Sequence, residues 1–249
     1  MVRVLPYNSS HKMLEAGMMS NTIHKYDNKA MLREDLSLDI AKNLSDAINQ
    51  KGHATLMVSG GNTPKPLFES LSKINIPWGR VSIGLCDERW VKPTDAASNE
   101  KLVTTYLLQN KAKKANFIGM YQDMPISEAS EICSKKVKTE LMPFDVIILG
   151  MGDDGHTASL FPHNKKLEFA YKQELENPCI AIEPTTAPHM RMSLTKAAIL
   201  SAQHIYLHFE GKEKAAIFQK ALEHHDEFAM PVRIILNPNA KDTKVYYHE

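Results

Sequence analysis

Four short segments of this chain place ionisable or hydroxyl side chains in turns, three of them containing glycine, each directly after an apolar run. The densest is Gly150-Met151-Gly152-Asp153-Asp154-Gly155-His156, where an imidazole stands two residues from a carboxylate. A histidine with an ordinary pKa near ~6.5 can take a proton from water at physiological pH. Asp154 beside His156 would orient the ring and stabilise the imidazolium that forms. The segment also spells GxGxxG, the dinucleotide fingerprint. Its two aspartates, however, lie where a pyrophosphate would approach, and it falls past mid-chain rather than at a first strand–helix turn. No metal site is expected, because one imidazole, two adjacent carboxylates and no HxH or HExxH spacing make a poor ligand set.

The other three segments suit an anion. Ser59-Gly60-Gly61-Asn62-Thr63-Pro64 offers backbone N–H groups, hydroxyls and an amide at the expected start of a helix, a seat for phosphate if it is more than a tight turn. Asp87-Glu88-Arg89-Trp90 reads either as a solvated loop with an internal ion pair or as a substrate-binding turn. In the second reading Asp87 and Arg89 face the ligand, and the guanidinium holds an anion or a developing oxyanion. Glu210-Gly211-Lys212-Glu213-Lys214 puts Lys212 at a helix start, where the dipole disfavours a cation unless an anion lies nearby; otherwise Lys212 points into water.

The elements that must carry these turns are visible as a change of period along the chain. Leu36, Ile40, Leu44, Ala47 and Ile48 recur at helical spacing from Asn28, and Gly52 supplies a stop. Ala54 to Val58, Val81 to Cys86, Phe117 to Tyr121 and Phe144 to Leu149 read as strands, and Ile205, Leu207 and Phe209 alternate in a later one. Between them Pro64 opens one helix, Ser98 caps another carrying Leu102, Val103, Tyr106 and Leu107, a third carries Ile132, Val137 and Leu141, and a fourth begins near Lys212. Strands alternating with helices imply an α/β fold with a mostly parallel sheet covered on both faces, and ligands bind outside the carboxyl ends of such strands.

The chain's 30 Lys and Arg balance 29 Asp and Glu with no long run of one sign, which removes the footprint expected for nucleic acid or an anionic membrane. No apolar stretch is long enough to span a bilayer, and the start lacks a secretory leader, so a cytoplasmic location is expected. Cys86, Cys133 and Cys179 are too scattered for a metal site and read as buried thiols. Residues 1 to 20 show no sustained periodicity and read as a mobile extension or an expression remnant, leaving 21–249 as a single domain.

Taken together, SGGNTPKPLFESL, SIGLCDERWV followed by SNEKL, FDVIILGMGDDGHTASLFP, PHMRMSLT and HFEGKEKAAIFQKAL resemble the 6-phosphogluconolactonases, within the glucosamine-6-phosphate isomerase/deaminase superfamily. DGHTASLFP is the most specific of these stretches. The resemblance implies a Rossmann-like three-layer α/β/α fold with a smaller subregion, and hydrolysis of 6-phospho-D-glucono-1,5-lactone without a cofactor. It implies that His156 is the general base supported by Asp154, and that Ser59, Gly60, Gly61, Asn62, Thr63 and Lys212 bind phosphate. Arg89 and Arg191 become ligands of the substrate's anionic or carbonyl oxygens. Its expected partner is the sugar-phosphate lactone, in a monomer or small homo-oligomer. The stretch Val91 to Ser98 is less acidic than in many relatives, which leaves that loop's geometry open.

Two other readings remain at this point. A glucosamine-6-phosphate deaminase would share the scaffold, but such relatives resemble IAFNEP after the DGH motif, with a glutamate where Phe161 stands here, and tend to have tyrosine in place of Arg89. A non-catalytic sugar-phosphate sensor would keep the anion seat. It would also need a DNA-binding partner domain, and no helix-turn-helix segment or basic patch is apparent.

Overall fold

The computed structural model describes residues 3–5, 21–185, 187–237 and 241–249. In chain order the elements are β1 (Arg3–Leu5), β2 (Thr22–Tyr26), α1 (Lys29–Lys51), β3 (Ala54–Val58), α2 (Pro64–Lys73), β4 (Val81–Leu85), β5 (Asp87–Arg89), α3 (Asn99–Tyr106), β6 (Asn116–Ile118) and α4 (Ile126–Glu140). There follow β7 (Val146–Leu149), α5 (Leu167–Lys172), β8 (Cys179–Ile182), β9 (Arg191–Leu194), α6 (Lys196–Ser201), β10 (His204–Glu210), α7 (Lys212–Glu223) and β11 (Thr243–His248). Of the expected extension over residues 1 to 20, Arg3–Leu5 forms an edge strand antiparallel to β2, and the remainder lies outside the described residues.

The large sheet runs β1-β2-β11-β10-β7-β3-β4-β6, and every pairing within it except β1·β2 is parallel. A parallel sheet needs crossovers that cover its faces, so its strands are buried on both sides and lose alternation. All five residues of β3 and all four of β7 are buried. From β3 the chain steps outward one way to β4 and β6, and from β7 the other way to β10 and β11, so the winding reverses between β3 and β7. At such a switch point the outgoing loops diverge and leave a crevice at the strands' carboxyl ends. A second, antiparallel sheet, β5-β9-β8, stands beside the first and is the smaller subregion.

Local chemistry fixes the helices that frame the crevice. Asn28 Oδ1 accepts from the N–H groups of Ala30 (2.7 Å) and Met31 (3.3 Å), and Gly52 at φ 85° donates to Ile48 O, so α1 starts and stops where the sequence places it. Its Leu32, Leu36, Ile40 and Leu44 are wholly buried. On the opposite face α7 packs through Phe218, whose ring lies 5.2 Å from Phe209 and 5.9 Å from Tyr247. Three expectations need correction. β6 covers only Asn116–Ile118 rather than reaching Tyr121; β7 begins at Val146; and Ile132 of α4 faces outward at 46 % exposure while Cys133 takes the buried position. Cys133 lies against Cys179 with 3.3 Å between sulfurs, and all three cysteines are buried and free.

Candidate active site

A cavity of about 400 Å³ opens at the switch point, lined by Ser59 to Pro64 after β3, Asp87, Arg89 and Asn99 beside β4, Ile148 to Asp153 with His156 after β7, and His208, Phe209 and Lys214 from β10 and α7. All four sequence segments therefore meet in one place.

His156 and Asp154 form the pair their spacing suggests. The imidazole Nδ1 lies 2.6 Å from Asp154 Oδ1, which also accepts the His156 backbone N–H at 3.0 Å. Burial alone would raise the Asp154 carboxyl, but these two bonds outweigh it and hold the group below its ordinary range. An ionised carboxylate can only accept, so Nδ1 carries a proton, and in the neutral ring it is Nε2 that keeps the lone pair, a tautomer assigned from the network. Two neighbours hold the geometry. The Phe161 ring packs 4.8 Å from the imidazole, and a Cβ on Gly152 would sit 2.0 Å from His156 Nδ1 and 2.8 Å from Asp154 Oδ1. Only glycine fits at 152.

The anion seat is shaped by close approach. A Cβ on Gly60 would meet Asn99 Oδ1 at 1.8 Å, and Gly61 has φ 100°. The Thr63 side chain makes no cap for α2, and Ser59 Oγ is buried without a partner. The loop thus holds donors unclaimed by the protein at a helix's positive end.

Beside β4, Glu88 is fully buried and accepts from the N–H groups of Arg89 (2.7 Å), Asn99 (2.7 Å) and Glu100 (2.8 Å) and from Ser98 Oγ (3.1 Å). It clamps the start of α3. Asn99 then accepts from Arg89 Nη1 at 2.7 Å and donates to Asp87 O at 2.8 Å, while Asp87 Oδ2 accepts from Ser159 Oγ at 2.6 Å. Burial pushes the Glu88 carboxyl up to about 7 against the pull of its backbone bonds. Arg191 pairs in register with Arg89 and is lowered by burial and by that neighbouring charge.

Two candidates are placed differently from their expected roles. Lys212 is exposed at the first position of α7 and does not line the cavity, and neither does Arg191, which is buried beside Arg89 on the neighbouring strand. Lys214, two residues further along α7, does line it, with Nζ 2.7 Å from Met151 O and 2.6 Å from Asp153 Oδ1. Asn99, Lys214 and His208 were not anticipated as cavity residues. Both Lys212 and Lys214 were legible as cations at a helix that starts where expected, but which of them turns inward is set by how α7 packs on the sheet.

Among the described residues no helix is long and apolar enough to cross a membrane, and no three His, Cys, Asp or Glu side chains are grouped to hold a metal ion. The family described as glucosamine-6-phosphate isomerases/6-phosphogluconolactonase matches residues 27–245. A 6-phosphogluconolactonase of Rhizobium meliloti is 37 % identical over 230 residues, covering 92 % of this chain and 99 % of its own. One of Pseudomonas aeruginosa is 40 % identical over 202 residues, covering 81 % and 85 %. The crystal structure of a 6-phosphogluconolactonase from Shewanella baltica superposes with a TM-score of 0.90 at 40 % identity, covering 94 % of this chain and 100 % of that one.

Proposed function

Because the chain belongs to the glucosamine-6-phosphate isomerase/6-phosphogluconolactonase family, we infer that it hydrolyses 6-phospho-D-glucono-1,5-lactone to 6-phospho-D-gluconate, the lactonase step of the pentose phosphate pathway. The observation that carries the mechanism is the 2.6 Å contact between His156 Nδ1 and Asp154, which leaves Nε2 free at the cavity to accept a proton. Water held by Nε2 attacks the lactone carbonyl carbon as its proton passes to the ring, and Asp154 stabilises the imidazolium. The tetrahedral oxyanion then collapses. The bond from the former carbonyl carbon to the ring oxygen breaks, and the imidazolium returns its proton to that oxygen.

Lys214 and the Ser59 to Thr63 loop are the assigned phosphate ligands. The Lys214 ammonium now pairs with Asp153, whose side chain is 83 % exposed, so this ion pair is weak and a phosphate can replace it. Arg89 stands across the crevice on the β4 side and is left for the oxygen on the reacting carbon. Phe161 against His156 supports hydrolysis over deamination, since it offers no proton where the deaminases' glutamate stands.

The test is the disappearance of lactone generated in situ, followed with wild-type protein, with His156→Asn and without protein, because the lactone also hydrolyses spontaneously. The wild type should accelerate the reaction and the variant should lose about 100-fold or more in kcat. No acceleration by folded wild type would overturn the activity; full acceleration by the variant would remove His156 from the role of base.

A further inference from the structure

We propose that Asn99 is a positioning residue that ties the phosphate seat to Arg89, so that one carboxamide sets the distance between the groups holding the two ends of the substrate. The proposal deepens the lactonase reading and rests on it.

Asn99 is the first residue of α3, is 1 % exposed, and lines the cavity. Chemistry fixes its orientation. A guanidinium only donates and a peptide carbonyl only accepts, so Oδ1 faces Arg89 Nη1 at 2.7 Å and Nδ2 faces Asp87 O at 2.8 Å. The main chain beneath is held as well, because the Asn99 N–H donates to Glu88 Oε1 at 2.7 Å. With both ends bonded, the amide cannot turn without losing a partner.

Arg89 depends on this amide for its aim. Nη1 carries two N–H groups, and both are spent within the protein, one on Asn99 Oδ1 and one on Ala97 O at 2.8 Å. What remains for an oxygen of the ligand is Nε, buried without a partner, and Nη2. The fork is rigid and planar, so fixing Nη1 fixes the remaining edge.

The phosphate seat rests on the same amide. A Cβ on Gly60 would stand 1.8 Å from Asn99 Oδ1, 2.3 Å from Cγ and 2.7 Å from Nδ2. Gly60 does not have the positive φ of its neighbour Gly61, so this contact, and not backbone conformation, keeps a side chain from residue 60. A shift of the anion loop is therefore passed through Asn99 to Arg89, and misplacing a reacting group by about 1 Å can cost about 100-fold.

The test is a pair of double-mutant cycles, read as the dissociation constant of 6-phosphogluconate by calorimetry and as kcat/KM in the lactone assay, with urea denaturation of each protein. Product binding has no spontaneous background, and the product's carboxylate contains the former carbonyl carbon. Asn99→Ala should weaken binding and lower kcat/KM by about tenfold or more in the wild-type background, but by less than about threefold beside Arg89→Met. A role in stability alone would cost the same in both backgrounds. Gly60→Ala leaves α3 untouched and pushes the amide aside, so it should cost about tenfold alone and less than about threefold once Asn99→Ala has made room. Should Asn99→Ala not fold, Gly60→Ala crossed with Arg89→Met reads the same tie. Additive effects in either cycle, or an Asn99→Ala protein that matches wild type, overturn the proposal and leave the activity standing. A wild type that neither binds 6-phosphogluconate nor hydrolyses the lactone overturns the activity and this proposal with it.

Discussion

At the scale of single residues, the site depends on what glycine leaves out as much as on what histidine supplies. Gly152→Ala places a methyl group 2.0 Å from His156 Nδ1, so the imidazole must leave Asp154 or the loop must shift. A loss in kcat of about 100-fold is expected, close to that of His156→Asn, with circular dichroism unchanged. The two lysines of α7 offer a sharper contrast. Lys214→Ala should weaken 6-phosphogluconate binding about tenfold or more, while Lys212→Ala, at an exposed position outside the cavity, should leave the dissociation constant within about twofold. Equal effects of the two changes, measured by calorimetry, would refute the assignment of Lys214.

At the scale of elements, the clamp of Glu88 on α3 joins stability to substrate binding. Glutamine at 88 keeps one acceptor and turns an NH2 group toward donors, so Glu88→Gln should lower unfolding stability by about 2–3 kcal/mol, read by urea denaturation, and raise KM through the released Arg89. The sequence shows α1 because Asn28 and Gly52 are local signals, and it shows the loop after β7 because glycine, aspartate and histidine are adjacent. It does not show β5, β8 and β9. These are three- and four-residue strands whose pairing, such as Arg89 with Arg191, is set by tertiary packing rather than by period. His208 was missed for a related reason. Alternation of Ile205, Leu207 and Phe209 assigns the intervening residues to solvent, but α1 and α7 cover both faces of β10, and Tyr206 and His208 are as buried as their neighbours.

At the scale of the whole molecule, a buried and a half-buried carboxyl tilt the pH dependence of stability in opposite directions. Although burial opposes it, contacts with His208 and Arg33 bring Glu210 from an ordinary 4.5 down to about 2, so its contribution is complete above about pH 4.5 and is lost as pH falls toward 2. Glu88 rises from 4.5 to about 7. The native state then holds a proton that the unfolded chain releases, and its contribution, present below about pH 4.5, is lost as pH rises through 7. Denaturant midpoints measured from pH 2 to 8 should show a shallower acid limb in Glu210→Gln and a shallower decline between pH 4.5 and 7 in Glu88→Gln. Identical profiles for wild type and variants would refute both readings.

The position of β11 between β2 and β10 has a consequence for how the protein is made. β2 leaves the ribosome well before its parallel neighbour, Thr243–His248, which follows every other strand of the sheet in chain order. A nascent chain can assemble β3, β4, β6, β7 and β10 in order, but β2 and the β1 strand beside it have no place to dock until β11 has entered the gap. The crevice can thus take shape during synthesis while one edge of the sheet waits for its final strand.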